Sequence, residues 1–574
     1  MIRTDRRARR TVNKNAHSLI LSGGKIVTLD PQGTIAEAIA ISGDRILAVG
    51  DGATVAAAAG PGVEHIDLAG RTAIPGLIDG HAHMDREGLK LQLPSLAGAT
   101  CIDDILERIA ALVREAEPGE WIVTMPIGDP PYYANVPDNL REGRVPNRQE
   151  LDRVAPDNPV YIRAIWGHWR NTLPLVSIAN TKALAIAGIT RNTIPPASTI
   201  QIDKDNATGE PTGVLHEFNY KPLVEHTLMS VIPRFTLEER VAGLRDSMRI
   251  YNRVGTTSVF EGHGIAAEVL AAYQTLRDEG PTPVRAHLMF SPSWPAPDTD
   301  VVNELLGSWG AWLSGRGLGD DFLRVGGLYT ESDYSEENLL RAATAPYSGW
   351  AGFNYDAALP EEVMVDMMVD AARHNIRIGS FTPNILDLYE KVDRQTPIGD
   401  RRWVIEHIGV LSPDEIARIR DLGIVLTVYS GRYIYQEGAM LARELGASAH
   451  HIAPLRSLLD AGVRVSLATD NVPPSLFHSI WHTTARIAEE TGEPISPEQC
   501  LSRTEALACA SREGAYLTFE EDVKGTLEPG KFADIAVLSD DPLTVDEAQI
   551  PNITAELVLT GGKTVYAADA NPSP

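Results

Sequence analysis

The chain has 574 residues and carries 51 Lys+Arg against 77 Asp+Glu, a formal net charge of −26. That length exceeds one ordinary core and suits a large barrel with a satellite domain. The acidic balance argues against nucleic acid and anionic membrane as partners. The three cysteines, Cys101, Cys500 and Cys509, show neither paired ligand spacing nor a disulfide framework.

In chain order, residues 1–17 come first, with Arg6, Arg7, Arg9 and Arg10 but no apolar stretch beside them. A secretory or twin-arginine signal needs that stretch, so the segment reads as a disordered tail. No run of about 18 apolar residues follows anywhere, so no membrane span is expected, and the expected location is cytoplasmic. Residues 18–73 alternate short apolar runs with Gly and Asp turns, as hairpins require. Residues 524–570 have the same texture. Both ends are therefore expected to meet in one small β-sandwich domain, with residues 74–523 inserted between them as the catalytic domain.

The middle alternates strand and helix patterns, which predicts an α/β fold, a (β/α)8 TIM barrel. Its strands are the segment ending at His83 and residues 256–260, 284–290, 324–329, 376–381, 402–407, 424–429 and 463–468. Residues 360–374 show helical spacing through Val363, Met364, Met367, Met368 and Ala371. More than 150 residues separate the first two strands. Residues 89–234 are thus expected to form an inserted subdomain. Its Trp121, Tyr132, Tyr133, Trp166 and Trp169 read as part core and part lid.

The most informative segment is Ile74-Pro75-Gly76-Leu77-Ile78-Asp79-Gly80-His81-Ala82-His83. Residues two apart on a strand point to one side, so both imidazoles can reach one point beyond its end. Neutral imidazole is a good ligand for zinc and its neighbours. A bare His-x-His reads more readily as two polar turn residues.

Together with its flanking sequence, the pair resembles the first-strand metal motif of the amidohydrolase superfamily. From Leu19 to Tyr566 the chain is similar to the YtcJ-like branch, which includes N-substituted formamide deformylases. The resemblance rests on several motifs in order. They are Pro146-Asn147-Arg148-Gln149-Glu150-Leu151-Asp152, Pro156-Asp157-Asn158-Pro159-Val160, and Gly167-His168 followed by Asn180 and Ala183-Leu184. After these come Gly213-Val214-Leu215-His216-Glu217, Glu406-His407, Thr469-Asp470 and the tail Gly525-Thr526-Leu527-Glu528-Pro529-Gly530-Lys531-Phe532-Ala533-Asp534.

The resemblance implies one divalent metal, zinc first, held by His81, His83 and Asp470, with His407 as a further ligand or a donor to the substrate carbonyl. It implies that Asp470 serves as general base and later as acid. His168, Glu217, His263, Tyr329 and Glu331 are the expected substrate contacts. The chain also departs from the branch. Tyr329 stands where a fourth-strand lysine is usual, with Asp333 retaining the following acid. Ile378-Gly379-Ser380-Phe381-Thr382-Pro383-Asn384 lacks the fifth-strand histidine, and His374 lies at the wrong end of that strand. One metal is therefore expected rather than two. His263 is the best substitute ligand, with Glu261 beside it, ahead of His216, His287 and His478.

The expected activity is metal-dependent hydrolysis of a non-peptide carbon–nitrogen bond in a small amide, formamide or cyclic amide. The alternatives are carbon–carbon cleavage, isomerisation or decarboxylation on the same scaffold, and a catalytically weak ligand-binding relative. The expected partners are a small-molecule substrate and a second copy of the chain in a homodimer. Tyr132, Tyr133, Trp166, Trp169, Phe353 and Tyr355 hint at an apolar or aromatic substrate.

Overall fold

The computed structural model describes residues 18–165, 173–220, 222–332, 335–344, 347–354 and 357–568. The expected tail 1–17, and His168, Trp166, Trp169, Asp333 and Tyr355, lie outside the described residues. Strands are numbered β1 to β22 in chain order.

The chain starts with β1 (Ser18–Val27), β2 (Ile35–Ser42), β3 (Arg45–Gly50), β4 (Glu64–Asp67) and β5 (Thr72–Pro75). In β2, Ile35 and Glu37 face out while Ala36 and Ala38 face in, the alternation of a half-buried strand. One residue after β5, strand β6 (Leu77–Asp79) enters the barrel.

The insertion follows as a five-stranded sheet of β7 (Ile122–Thr124), β8 (Val160–Ile162), β9 (Leu175–Ala179), β10 (Ile200–Lys204) and β11 (Pro211–Glu217), ordered β10-β11-β9-β8-β7. Side-chain amides hold it together. Asn147 and Glu150 form a reciprocal cap at the start of helix Arg148–Val154. Asn180 accepts from Val160 N at 2.9 Å and Ala183 N at 3.0 Å, and donates to Ala155 O and Asn158 O at 3.2 and 2.9 Å. The Asn-containing motifs of the insertion are thus architectural: each amide fills several backbone vacancies at once.

The barrel continues with β12 (Thr256–Ile265), β13 (Arg285–Phe290), the short β14 (Leu318–Gly319) paired to β15 (Leu323–Tyr329), then β16 (Ile378–Ser380), β17 (Val404–Ile405), β18 (Val425–Tyr429) and β19 (Arg464–Ala468). Its parallel order is β19-β18-β17-β16-β15-β13-β12-β6. Closure comes from Gly80 N donating to Leu467 O at 2.9 Å and Asp470 N to His81 O at 3.0 Å. A Cβ on Gly80 would sit 2.4 Å from Ser466 Oγ, so glycine alone permits this approach. Crossover helices such as Leu237–Arg253, Ala267–Glu279, Glu361–Arg373 and Pro413–Asp421 cover the outside. Strands β16 and β17 are shorter than their apolar runs suggest. Arg402 and His407 bracket β17 at φ of 50° and 55°, where the chain leaves extended geometry.

Finally β20 (Ile535–Leu538), β21 (Ala555–Thr560) and β22 (Lys563–Ala567) join the first strands in one eight-stranded sheet, ordered β22-β21-β20-β5-β1-β2-β3 with β4 on β1. Strand β5 is the seam, parallel to β1 and antiparallel to β20. The sheet is fastened to the barrel by a buried pair. Arg285 of β13 donates to both oxygens of Asp534 at 2.7 and 3.0 Å, and Gly561 N donates to Asp534 at 2.7 Å. Among the described residues, no helix is long and apolar enough to cross a membrane.

Candidate metal centre

The site is built where β6 and β19 meet at the C-terminal mouth of the barrel, the end at which such barrels carry chemistry. Buried Asp79 laces the two strands together. Its carboxylate accepts from His81 N and Thr469 N, both at 3.1 Å, and from Thr469 Oγ1 at 2.5 Å. This fixes His81 and His83 at the end of β6 and Asp470 at the end of β19. Two more imidazoles arrive from other strands. The register of β12 on β13 slips between Glu261 and Ile265, and His263 projects from that irregularity. Bulges of this kind re-aim side chains beside active sites. His407 follows β17 and, like Asp470 at φ 51°, holds a left-handed backbone that non-glycine residues seldom adopt.

Three imidazoles approach that of His81. His81 Nε2 lies 3.3 Å from His83 Nε2, 3.2 Å from His263 Nδ1 and 3.2 Å from His407 Nε2. Asp470 Oδ1 lies 3.0 Å from His83 Nε2. Ligands about 2.0–2.1 Å from a tetrahedral zinc stand about 3.3–3.4 Å from one another. The separations from His81 Nε2 match that spacing, and His81, His83 and His263, or His81, His407 and Asp470, lie close enough together to hold a divalent ion.

Electrostatics point the same way. Burial holds His81 and His263 well below the ordinary imidazole range, the other imidazoles adding to the effect. Burial also lowers His407, against the opposing charge of Asp470. These rings are neutral at physiological pH, the form that offers a lone pair to a metal. Burial pushes Asp79 up to about 6 and Glu406 up to about 8, Glu406 also feeling the charge of Asp470. Several buried polar atoms at this mouth have no hydrogen-bond partner: His81 Nδ1, His263 Nε2 and both oxygens of Asp85 and of Glu406.

The remaining expected residues divide. Tyr329 is fully buried, its ring 4.7 Å from that of His263 and its hydroxyl donating to Glu331 at 3.2 Å. Tyr329 and Glu331 therefore flank the cluster. Phe353 stacks on His263 at 4.8 Å, and Phe381 meets the ring edge-on at 4.7 Å. Phe381 thus lies beside the cluster on the strand from which the histidine is lost. His263, expected as a substrate contact, instead belongs to the imidazole cluster, because the β12 irregularity carries it inward.

Glu217 is also corrected. It ends β11 inside the insertion, where its carboxylate accepts from Leu223 N and Val224 N and pins a turn. Buried His287 sits 3.0 Å from Arg377 Nη2, and His478 lies on the helix Leu476–Ala485. His216 lies on β11 of the insertion, opposite Gln201. Of the expected lid residues, Tyr132 and Tyr133 pack with Tyr329, Phe353 and Tyr429, whereas Trp121 packs into the insertion's own core.

Sequence reasoning missed Asp85, which lies beside His83 and Glu261. The signal was its spacing, two residues beyond the second motif histidine. Glu261 is engaged already, accepting from Met84 N at 2.8 Å and Tyr273 Oη at 2.9 Å.

A barrel carrying this cluster at its mouth defines a class, and comparison of the chain with known families agrees. The amidohydrolase family model matches residues 64–566. The chain belongs to the amidohydrolase family, a class of metal-dependent hydrolases. It is 27% identical over 545 residues to the N-substituted formamide deformylase of Arthrobacter pascens, spanning 92% of this chain and 94% of that one. It is 24% identical over 558 residues to the YtcJ protein of Bacillus subtilis strain 168, spanning 95% and 99%. Its fold is similar to that of an uncharacterized metal-dependent hydrolase from Pyrococcus horikoshii, with a TM-score of 0.64 and 21% identity over 92% and 99% of the two chains.

Proposed function

We propose that the protein hydrolyses a non-peptide carbon–nitrogen bond of a small amide, with N-substituted formamides as the leading substrate class, using one zinc ion. The observation that carries this reading is the convergence of His83, His263 and His407 within 3.3 Å of His81 Nε2, with Asp470 beside them. His81, His83, His407 and Asp470 would hold the ion, with His263 completing the set. When bound, such an ion supplies Lewis acidity that makes water nucleophilic near neutral pH.

The protein's own residues do the rest. Asp470 is 13% exposed in its side chain and its Oδ1 lies 3.0 Å from His83 Nε2, so it can receive the attacking water's proton and pass it to the departing nitrogen. The Tyr329 hydroxyl has one proton, given to Glu331 at 3.2 Å, so it can donate to the oxygen that gains charge as the carbonyl is attacked only by turning away from Glu331. Phe381 and Tyr132, both only partly buried, give the mouth an apolar wall suited to an N-substituent.

The Tyr329–Glu331 pair also favours a second reading. A buried hydroxyl–carboxylate couple at the fourth strand could move protons in carbon–carbon cleavage or isomerisation. The test is to strip the protein with chelator and restore one equivalent of zinc. N-substituted formamides, hydantoins and N-acylated amines are then screened by product analysis. The first reading expects amine release that depends on the restored metal. Carbon–carbon cleavage or isomerised products without any amine would overturn it.

A further inference from the structure

Glu406 is buried at the centre of the barrel, directly before His407 in the chain, and neither carboxylate oxygen has a hydrogen-bond partner. A carboxylate left unpaired in an apolar interior is costly unless a positive charge compensates it. Arg377, the cation that acts on it, gives its donors to His287 Nε2 at 3.0 Å and to Leu517 O.

The atom facing Glu406 is His81 Nδ1, 3.5 Å from Oε2 and equally without a partner. The space around the two is kept free by glycines. A Cβ at Gly262 would lie 2.7 Å from Glu406 Oε1 and 2.9 Å from His81 Nδ1, and one at Gly379 would lie 2.9 Å from Oε1. A ring nitrogen and a carboxylate, each without a hydrogen-bond partner, thus stand 3.5 Å apart with no side chain of Gly262 or Gly379 between them.

We propose that Glu406 is a positioning residue for the metal centre: it takes the Nδ1–H of His81 and fixes the tautomer whose Nε2 lone pair faces the cluster. The inference rests on the metal reading above. The opposite tautomer, with a protonated Glu406 donating to Nδ1, would place hydrogen on Nε2 and remove His81 from the ligand set. Carboxylates behind metal-bound histidines act in this way generally, and their loss weakens metal binding about 10–100-fold.

The test is a competition titration of zinc against a chromogenic chelator for the full-length protein and its Glu406→Gln variant, with melting of each metal-free form. We expect zinc affinity to fall about 10–100-fold. The metal-free variant should melt no lower than the metal-free parent, because an amide replaces an uncompensated acid of the same shape. Unchanged affinity, or a lower Tm of the metal-free variant, would overturn the proposal, the latter by revealing a packing role. A measurement on the unmutated protein stands beside it: 15N NMR of the zinc-loaded, histidine-labelled chain should show His81 protonated at Nδ1. Protonation at Nε2 would contradict the proposal. Failure of the parent protein to bind zinc at all would instead remove the metal reading on which it rests.

Discussion

Two of the places where the barrel holds buried charge are built on opposite terms. At the seam with the end sheet, Asp534 is saturated: Arg285 grips both oxygens, and Gly561 N adds a third bond. At the mouth, His81, His263, Asp85 and Glu406 keep buried atoms that nothing in the chain satisfies. Buried polar groups are normally paired, so an exception asks for a cause. The seam is complete in itself and therefore structural. The mouth instead gathers His and carboxylate groups that could hold a metal ion.

The comparison can be broken most severely by deleting a ligand. His81→Ala or His83→Ala should abolish both metal binding and turnover, measured by elemental analysis and product assay, while circular dichroism stays that of the parent. Next comes Asp470→Asn, which keeps the shape of the side chain but cannot take a proton at neutral pH. Turnover should fall about 10²–10⁴-fold, with a smaller loss of metal affinity. Near-normal turnover would shift the search for a base to Glu331 or His407.

The seam should answer in a different currency. Arg285→Ala leaves Asp534 charged with only the Gly561 N–H bond, so unfolding free energy should drop by about 3–5 kcal/mol. Zinc affinity of the surviving folded protein should not change. Loss of metal together with stability would mean that the two regions are not independent. Glu217→Gln is the mildest probe, costing about 1–3 kcal/mol through weakened acceptance from two buried amides. It should leave KM unchanged, and a raised KM would return Glu217 to the substrate pocket.

Much of this was legible in the chain. Each apolar run assigned to the barrel overlaps one of its strands, because a buried parallel strand leaves a continuous signal. His81, His83, His407 and Asp470 stood at strand ends, where barrel chemistry sits. His263 was visible as a substrate contact or a substitute ligand without a way to choose, since the irregularity in β12 that turns it inward leaves no pattern in the sequence. Glu217 and Asn180 belong to recognisable motifs, yet they hold turns and caps, and a motif letter does not say which. Glu406 was readable as part of Glu406-His407, but its meaning lies in lacking a partner, a property that exists only once Gly262, Gly379 and His81 are packed around it.

The central claim is that the mouth is an incomplete site finished by one divalent ion. Its most direct test is the metal content and activity of one preparation before chelation, after it and after restoration, with His83→Ala alongside. The account predicts one zinc per chain in the parent, activity that falls and returns with that zinc, and no metal in the variant. Full activity in the chelated, metal-free protein, or equal metal in the variant, would contradict it.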